Sequence, residues 1–160
     1  MNDLDLRERV YQKRVLILGV GNTLRGDDGA GPALIERLQG KVQATLIDAG
    51  EVPENFIGPI EAARPQSIVI VDAADIGASA GDVALLEIDQ IAEIGLTTHN
   101  ASLALLTRLL QSSTQADVFL LGIQPEAISF GIPLSVRVDQ TLQSLEQLFR
   151  DLLKPSSRDG

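Results

Sequence analysis

A chain of 160 residues with 22 acidic and 13 basic side chains has a net charge of −9, the wrong sign for a nucleic-acid or anionic-membrane partner. Hydrophobic residues make up 44% and aromatics only 3%, so one domain-sized core must be built from Leu, Ile, Val and Ala, as in a parallel sheet covered by helices. Cysteine is absent, which excludes disulfides, thiolate metal sites and thiol nucleophiles, and no apolar run approaches the ~20 residues of a membrane span; a soluble cytoplasmic protein is expected.

Residues 1–13 set Leu4, Leu6, Val10 and Tyr11 among charges and read as a loose helical arm. The continuous apolar run 15–18 predicts a strand buried on both faces. It leads into a loop with glycines at 19, 21, 26, 29 and 31 that carries the adjacent acids Asp27 and Asp28. Pro32 suits the first turn of a helix over 32–38. A second strand over 43–48 ends in Asp48. A helix over 54–63, entered at Pro53 and closed by Arg64-Pro65, is expected to break or kink at Gly58-Pro59. Residues 67–71 form a third strand with Asp72 at its exit. The stretch 72–82 is too short for a helical crossover, so the next strand, 83–88, is expected to run antiparallel to the third at an edge of the sheet. His99, the only histidine, precedes a helix marked by Leu103, Leu106, Leu109 and Leu110. A last strand over 117–123 is followed by a loop over 124–133, and Ser135 can cap a long helix carrying Val138, Leu142, Leu145, Leu148, Phe149 and Leu152 on one side. Residues 154–160 read as a disordered tail. The expected fold is a single three-layer α/β domain over 14–153, with a mostly parallel twisted sheet of about five strands, one of them antiparallel, and helices on both faces.

In open α/β sheets, ligands bind outside the carboxyl ends of the strands. A dinucleotide is the usual occupant, but the third glycine of its fingerprint would fall at Leu24, and two aspartates would repel a pyrophosphate from the helix N-terminus. Asp48, at the place of a ribose-binding acid, keeps a nucleotide-binding oxidoreductase open as an alternative. Asp28 after the first strand, Asp72 after the third and His99 before a main helix form a different set. Two hard oxygen donors and one imidazole can hold a borderline divalent metal such as zinc or nickel and leave positions open. A serine nucleophile lacks its Gly-x-Ser-x-Gly elbow, and neither Asp48-Ala-Gly nor Asp72-Ala-Ala carries the hydroxyl residue expected beside a pepsin-type acid. The plainer readings are a helix cap for Asp28, turn chemistry for Asp48 and a structural role for His99.

The motifs Gly19-Val-Gly-Asn-Thr-Leu-Arg-Gly-Asp-Asp-Gly-Ala-Gly31, Ile70-Val-Asp-Ala-Ala-Asp75, Thr97-Thr-His-Asn100 and Leu121-Gly-Ile-Gln-Pro125, in this order and spacing, resemble the maturation endopeptidases of nickel-iron hydrogenases. Val52-Pro-Glu-Asn-Phe56 and Gly122-Ile-Gln-Pro125 look most like the branch serving the hydrogenase of formate hydrogenlyase. The resemblance implies a protease that removes a C-terminal extension from the hydrogenase large-subunit precursor after nickel insertion. It also implies that Asp28, Asp72 and His99 are the metal ligands, with the nickel arriving on the substrate and the resting enzyme free to hold none. A metal or a water it activates would then assist hydrolysis. Metal binding is expected to weaken below about pH 6.5, the ordinary imidazole value. A sensor or delivery module that binds nickel without cutting would use the same residues. Two departures stand out: Ala49 where the family often has glycine, expected to crowd the substrate tail, and the longer arm before Lys13.

Overall fold

A computed structural model describes residues 1–93 and 100–155 of the chain. Its elements follow in the order α1 (Asp3–Val10), β1 (Val15–Val20), α2 (Ala30–Leu38), β2 (Thr45–Gly50), α3 (Ile57–Ala62), β3 (Ser67–Ala73), β4 (Val83–Leu86), α4 (Ile88–Glu93), α5 (Asn100–Thr114), β5 (Asp117–Ile123) and α6 (Val136–Leu152). Side-chain alternation along the strands sorts the helices into two layers. Val15, Ile17, Val69, Val71, Phe119 and Leu121 pack with α1, α2 and α6. Leu16, Leu18, Ile68, Ile70, Val118 and Leu120 pack with α3, α4 and α5 on the other face. Strands apolar on both faces are what a sheet covered twice requires, and the expected three-layer α/β architecture is the one observed.

The sheet order is β2-β1-β3-β5-β4. β1 pairs in parallel with β2 and β3, β3 pairs in parallel with β5, and β4 alone runs antiparallel. The antiparallel edge strand is as expected, but its neighbour is β5 and not β3. The long β5, buried from Val118 onward, takes the free side of β3 from Ser67↔Asp117 to Ala73↔Ile123, and the short, half-buried β4 is left to the edge. The chain reaches that edge by passing the end of β5, where Gln124 N donates to Asp82 O (2.8 Å) and Gly81 N to Gln124 O (2.8 Å).

Three local differences have clear causes. The strand expected over 83–88 stops at Leu86 because the Gln90 Oε1 accepts from Glu87 N (2.8 Å), a reach-back of the capping-box kind that starts α4. The helix expected over 54–63 is a 3-10 turn, Pro53–Phe56, continued by α3. Gly58-Pro59 does not break it, since Pro59 falls in the first turn of α3, where its missing N–H costs no bond. The arm is not loose either. Leu6 and Val10 of α1 are fully buried against α6 and the sheet. Arg9 lies 3.8 Å over the Phe119 ring and pairs with both Asp117 and Glu87. Burial opposes its charge, but the hydrogen bonds and charges of Asp117 and Glu87 outweigh that, and its pKa is raised above the usual arginine range.

Among the described residues no helix is long and apolar enough to cross a membrane. The expected tail lies, from residue 156, outside the described residues. A docked α1 makes a measurable prediction. Leu6→Ala should lower unfolding free energy by about 2–5 kcal/mol in urea titrations, the cost of a cavity in a packed core; a free arm would give almost no change.

Candidate active site

Sheet order locates the crevice. The connection that leaves β1 runs to β2 on one side and the chain that leaves β3 runs toward β4 and β5 on the other, so the two connections part at the carboxyl ends of β1 and β3, the switch point at which α/β folds bind ligands. Asp28 lies in the connection leaving β1, within the 3-10 turn Gly26–Gly29 that runs into α2. Asp72 is the penultimate residue of β3, in register with Gly122 of β5. Both are buried, at 3% and 1% exposure.

Gly21 brings them together. Its φ is +142°, and a Cβ there would stand 1.8 Å from the Asp28 carbonyl oxygen and 3.6 Å from Asp72 Oδ1. The main chain of one acid and the side chain of the other therefore converge on the same point at the end of β1. Asp28 is not a helix cap, since α2 has Gly29 at its N-cap with no side-chain hydrogen bond. Its Oδ2 instead accepts from Asn22 N (2.9 Å), across the glycine-rich turn. Its Oδ1 is buried and has no hydrogen-bond partner among the described residues.

His99 lies outside the described residues, immediately before Asn100, where α5 begins. Among the described residues no group of three His, Cys, Asp or Glu side chains is placed to hold a metal; this part of the chain supplies two of the three donors named from the sequence. Asp48 takes the plainer reading, exposed, with Oδ1 accepting from Gly50 N (3.1 Å). The methyl of Ala49 is packed in the core under α3, at the point where the β1–β2 register slips. A cleft of about 220 Å³ opens beside the corner between Gly21, Asn22, Thr23, Asp48 and Glu51. A larger one, about 860 Å³, lies at the amino ends of the strands beside Arg14, Thr45 and Gln66, away from both buried acids and at the wrong end of the sheet for an α/β ligand site.

The neighbour of Asp28 behaves differently. Asp27, 1% exposed, accepts from Glu126 N (2.8 Å), Ala127 N (3.4 Å), Ser135 N (2.7 Å) and Ser135 Oγ (2.8 Å). Sequence reasoning gave it no role. The available signal was the doubled acid itself, since two buried carboxylates side by side need separate sets of partners.

The family model for hydrogenase maturation proteases matches residues 32–151. The hydrogenase 3 maturation protease of Escherichia coli K12 is 38% identical over 135 residues, covering 82% of this chain and 86% of that protein. The chain belongs to the hydrogenase maturation protease family. Among solved structures, a [NiFe] hydrogenase maturation protease from Thermococcus kodakarensis superposes with a TM-score of 0.84 at 29% identity, covering 94% of this chain and 99% of the other. An endopeptidase from Escherichia coli superposes with a TM-score of 0.79 at 36% identity, covering 86% and 90%. The chain is thus a peptidase of this family, with the family's fold. The family-model match begins at Pro32, after Asp27 and Asp28.

Gly21 is the most exacting position of the corner. Gly21→Ala combines positive-φ strain with a collision against backbone and should cost roughly 3 kcal/mol or prevent folding. Gly40→Ala is the matched control, with φ +74° and nothing within 4 Å, and should cost only about 1 kcal/mol. Urea unfolding of the two variants measures the difference.

Proposed function

We propose that this peptidase is a cytoplasmic endopeptidase that removes the C-terminal extension of a nickel-iron hydrogenase large-subunit precursor after nickel insertion, recognising the substrate's nickel through Asp28, Asp72 and His99. The observation that carries the reading is the convergence of Asp28 and Asp72 at Gly21 with a buried carboxylate oxygen of Asp28 left open. An unfilled lone pair in the interior is costly, and a cation is the group that would fill it. Two carboxylates and an imidazole are a donor set that suits a borderline divalent ion such as nickel. Alternation along β3 directs Asp72 to the sheet face covered by α5, with Ile70 and Ala74. His99 immediately precedes α5 in the chain, which supports its recruitment as the third donor.

The residues of the chain would divide the work as follows. Asn22 N–H anchors one oxygen of Asp28 and leaves the other, buried at the corner, without a partner among the described residues. Asp72 is fixed by the β3–β5 register. The imidazole of His99 must be neutral to offer a lone pair. A metal held there could polarise a nearby carbonyl and favour ionisation of a water, so a side-chain nucleophile is not required. A hydrogenase precursor as substrate is supported by similar proteins named for hydrogenase maturation.

The experiment is a processing assay with purified precursor, with and without nickel, read by the mass of the product. Loss of a C-terminal peptide from nickel-loaded precursor alone is expected. Asp28→Asn, Asp72→Asn and His99→Ala should each slow it by more than about 100-fold, beyond the effect of removing a residue that only supports a metal ligand. Undiminished processing by His99→Ala, or equal cleavage of nickel-free precursor, would refute the proposal. Nickel binding without any release of peptide would favour a sensor or delivery role.

A further inference from the structure

The proposed recognition of a cation needs Asp28 and Asp72 to keep a fixed relation, although separate connections carry them. We infer that the connection over 124–135, between β5 and α6, is the brace that sets this relation, with Asp27 and Gln124 as its positioning residues; the inference rests on the proposed roles of Asp28 and Asp72.

One end of the connection holds the segment that follows Asp72. Gln124 is 9% exposed, and its Oε1 accepts from Ile76 N (2.8 Å) and Ala78 N (3.3 Å) while its Nε2 donates to Asp75 Oδ1 (3.4 Å). Just before it, Ala74 N donates to Ile123 O (2.9 Å). The chain leaving β3 is therefore held to the end of β5 from Ala74 to Ala78, directly after Asp72.

The rest of the connection holds the turn that carries Asp28. Gly26 N donates to Ile132 O (3.1 Å), Asp27 N to Ala127 O (3.0 Å) and Gly131 N to Leu24 O (2.8 Å). Both oxygens of Asp27 face donors, Oδ1 toward Ser135 N and Oδ2 toward Glu126 N, Ala127 N and Ser135 Oγ. An ionised carboxylate is acceptor-only and suits this ring of donors; an asparagine would turn its NH₂ against one of them. Asp27 shares the turn Gly26–Gly29 with Asp28, so a shift of the brace would move the open oxygen of Asp28 relative to Asp72.

Amide hydrogen exchange on the metal-free protein separates positioning from simple loop anchoring. The Asn22 N–H donates to Asp28 and not to 124–135, so it reports the set of Asp28 alone. In Asp27→Asn, loss of charge-assisted bonds should lower protection at Glu126, Ser135 and also Asn22 by about tenfold or more. The kcat of processing should fall by a similar factor with KM little changed. In Gln124→Ala, protection should fall at Ile76 and Ala78 with the same signature in kcat. Protection lost at Glu126 and Ser135 but kept at Asn22, with kcat intact, would overturn the inference.

Should Asp27→Asn fail to fold, Ser135→Ala removes one donor of the four and should give the same order of effects, smaller in size. Ser135→Thr keeps the hydroxyl and should restore both protection and kcat; equal loss in both variants would count against positioning through Asp27. The exchange readout needs neither metal nor precursor. A failed metal reading would leave it standing, and intact exchange at Asn22 would overturn the brace while leaving the metal reading untouched.

Discussion

The end of β1 depends on the absence of a side chain at Gly21. Strand order places β1 and β3 side by side with their connections parting at the carboxyl ends, but a switch point becomes a site only if the chain leaving β1 can turn back into it. At Gly21 the backbone turns through a positive φ and the Asp28 carbonyl occupies the volume a methyl would need. One turn further, a Cβ on Gly31 would stand 2.3 Å from Val71 O, so the first turn of α2 sits directly on β3, next to Asp72. These two close approaches bring an acid from the β1 loop and an acid from β3 to one corner without a long side chain reaching for either.

The two adjacent acids of that corner show how burial alone fails to define a role. Asp27 and Asp28 are almost equally buried, yet Asp27 has both oxygens supplied with donors and Asp28 has one. A charge removed from water is tolerated when its lone pairs are used. Asp27 meets that condition within the protein and links elements about a hundred residues apart in the chain. Asp28 meets it on one side only. The positive end of the helix that follows favours both charges, but it does not supply the missing partner. The same turn thus contains a structural carboxylate and one that is left available.

Most of the architecture was legible because the sheet is apolar on both faces. β1 and, after its first residue Asp117, β5 appear in the sequence as runs of Val, Ile, Leu and Phe interrupted only by Gly19 and Gly122, and the Ser135 cap with its amphipathic repeat marked α6. What escaped were interactions between distant segments or of low sequence contrast. The burial of α1 depends on Leu6, Val10 and an Arg9 stacked on Phe119, none of which contradicts an exposed arm when read locally. β4 could be given its direction from a short connection, but its neighbour follows from which strand competes better for β3. The site divided in the same way: residue type and place pointed to Asp28 and Asp72, whereas most partners of Asp27 and Gln124 are main-chain N–H groups, which carry no sequence signature.

The open oxygen of Asp28 has an energetic consequence for the whole molecule. A buried acceptor without a partner costs about 1–3 kcal/mol, a sizeable part of the roughly 5–15 kcal/mol that keeps a domain folded. The cores on the two faces of the sheet must offset it, which is easier for a group mounted on a laced turn than for one on a free loop. A molecule that fills the position binds the folded state in preference to the unfolded one and stabilises it by mass action. On the proposed reading, that molecule is a precursor already carrying its metal. A precursor without it would leave the acceptor as costly as before, so the imperfection at Asp28 would itself favour the loaded substrate over the empty one.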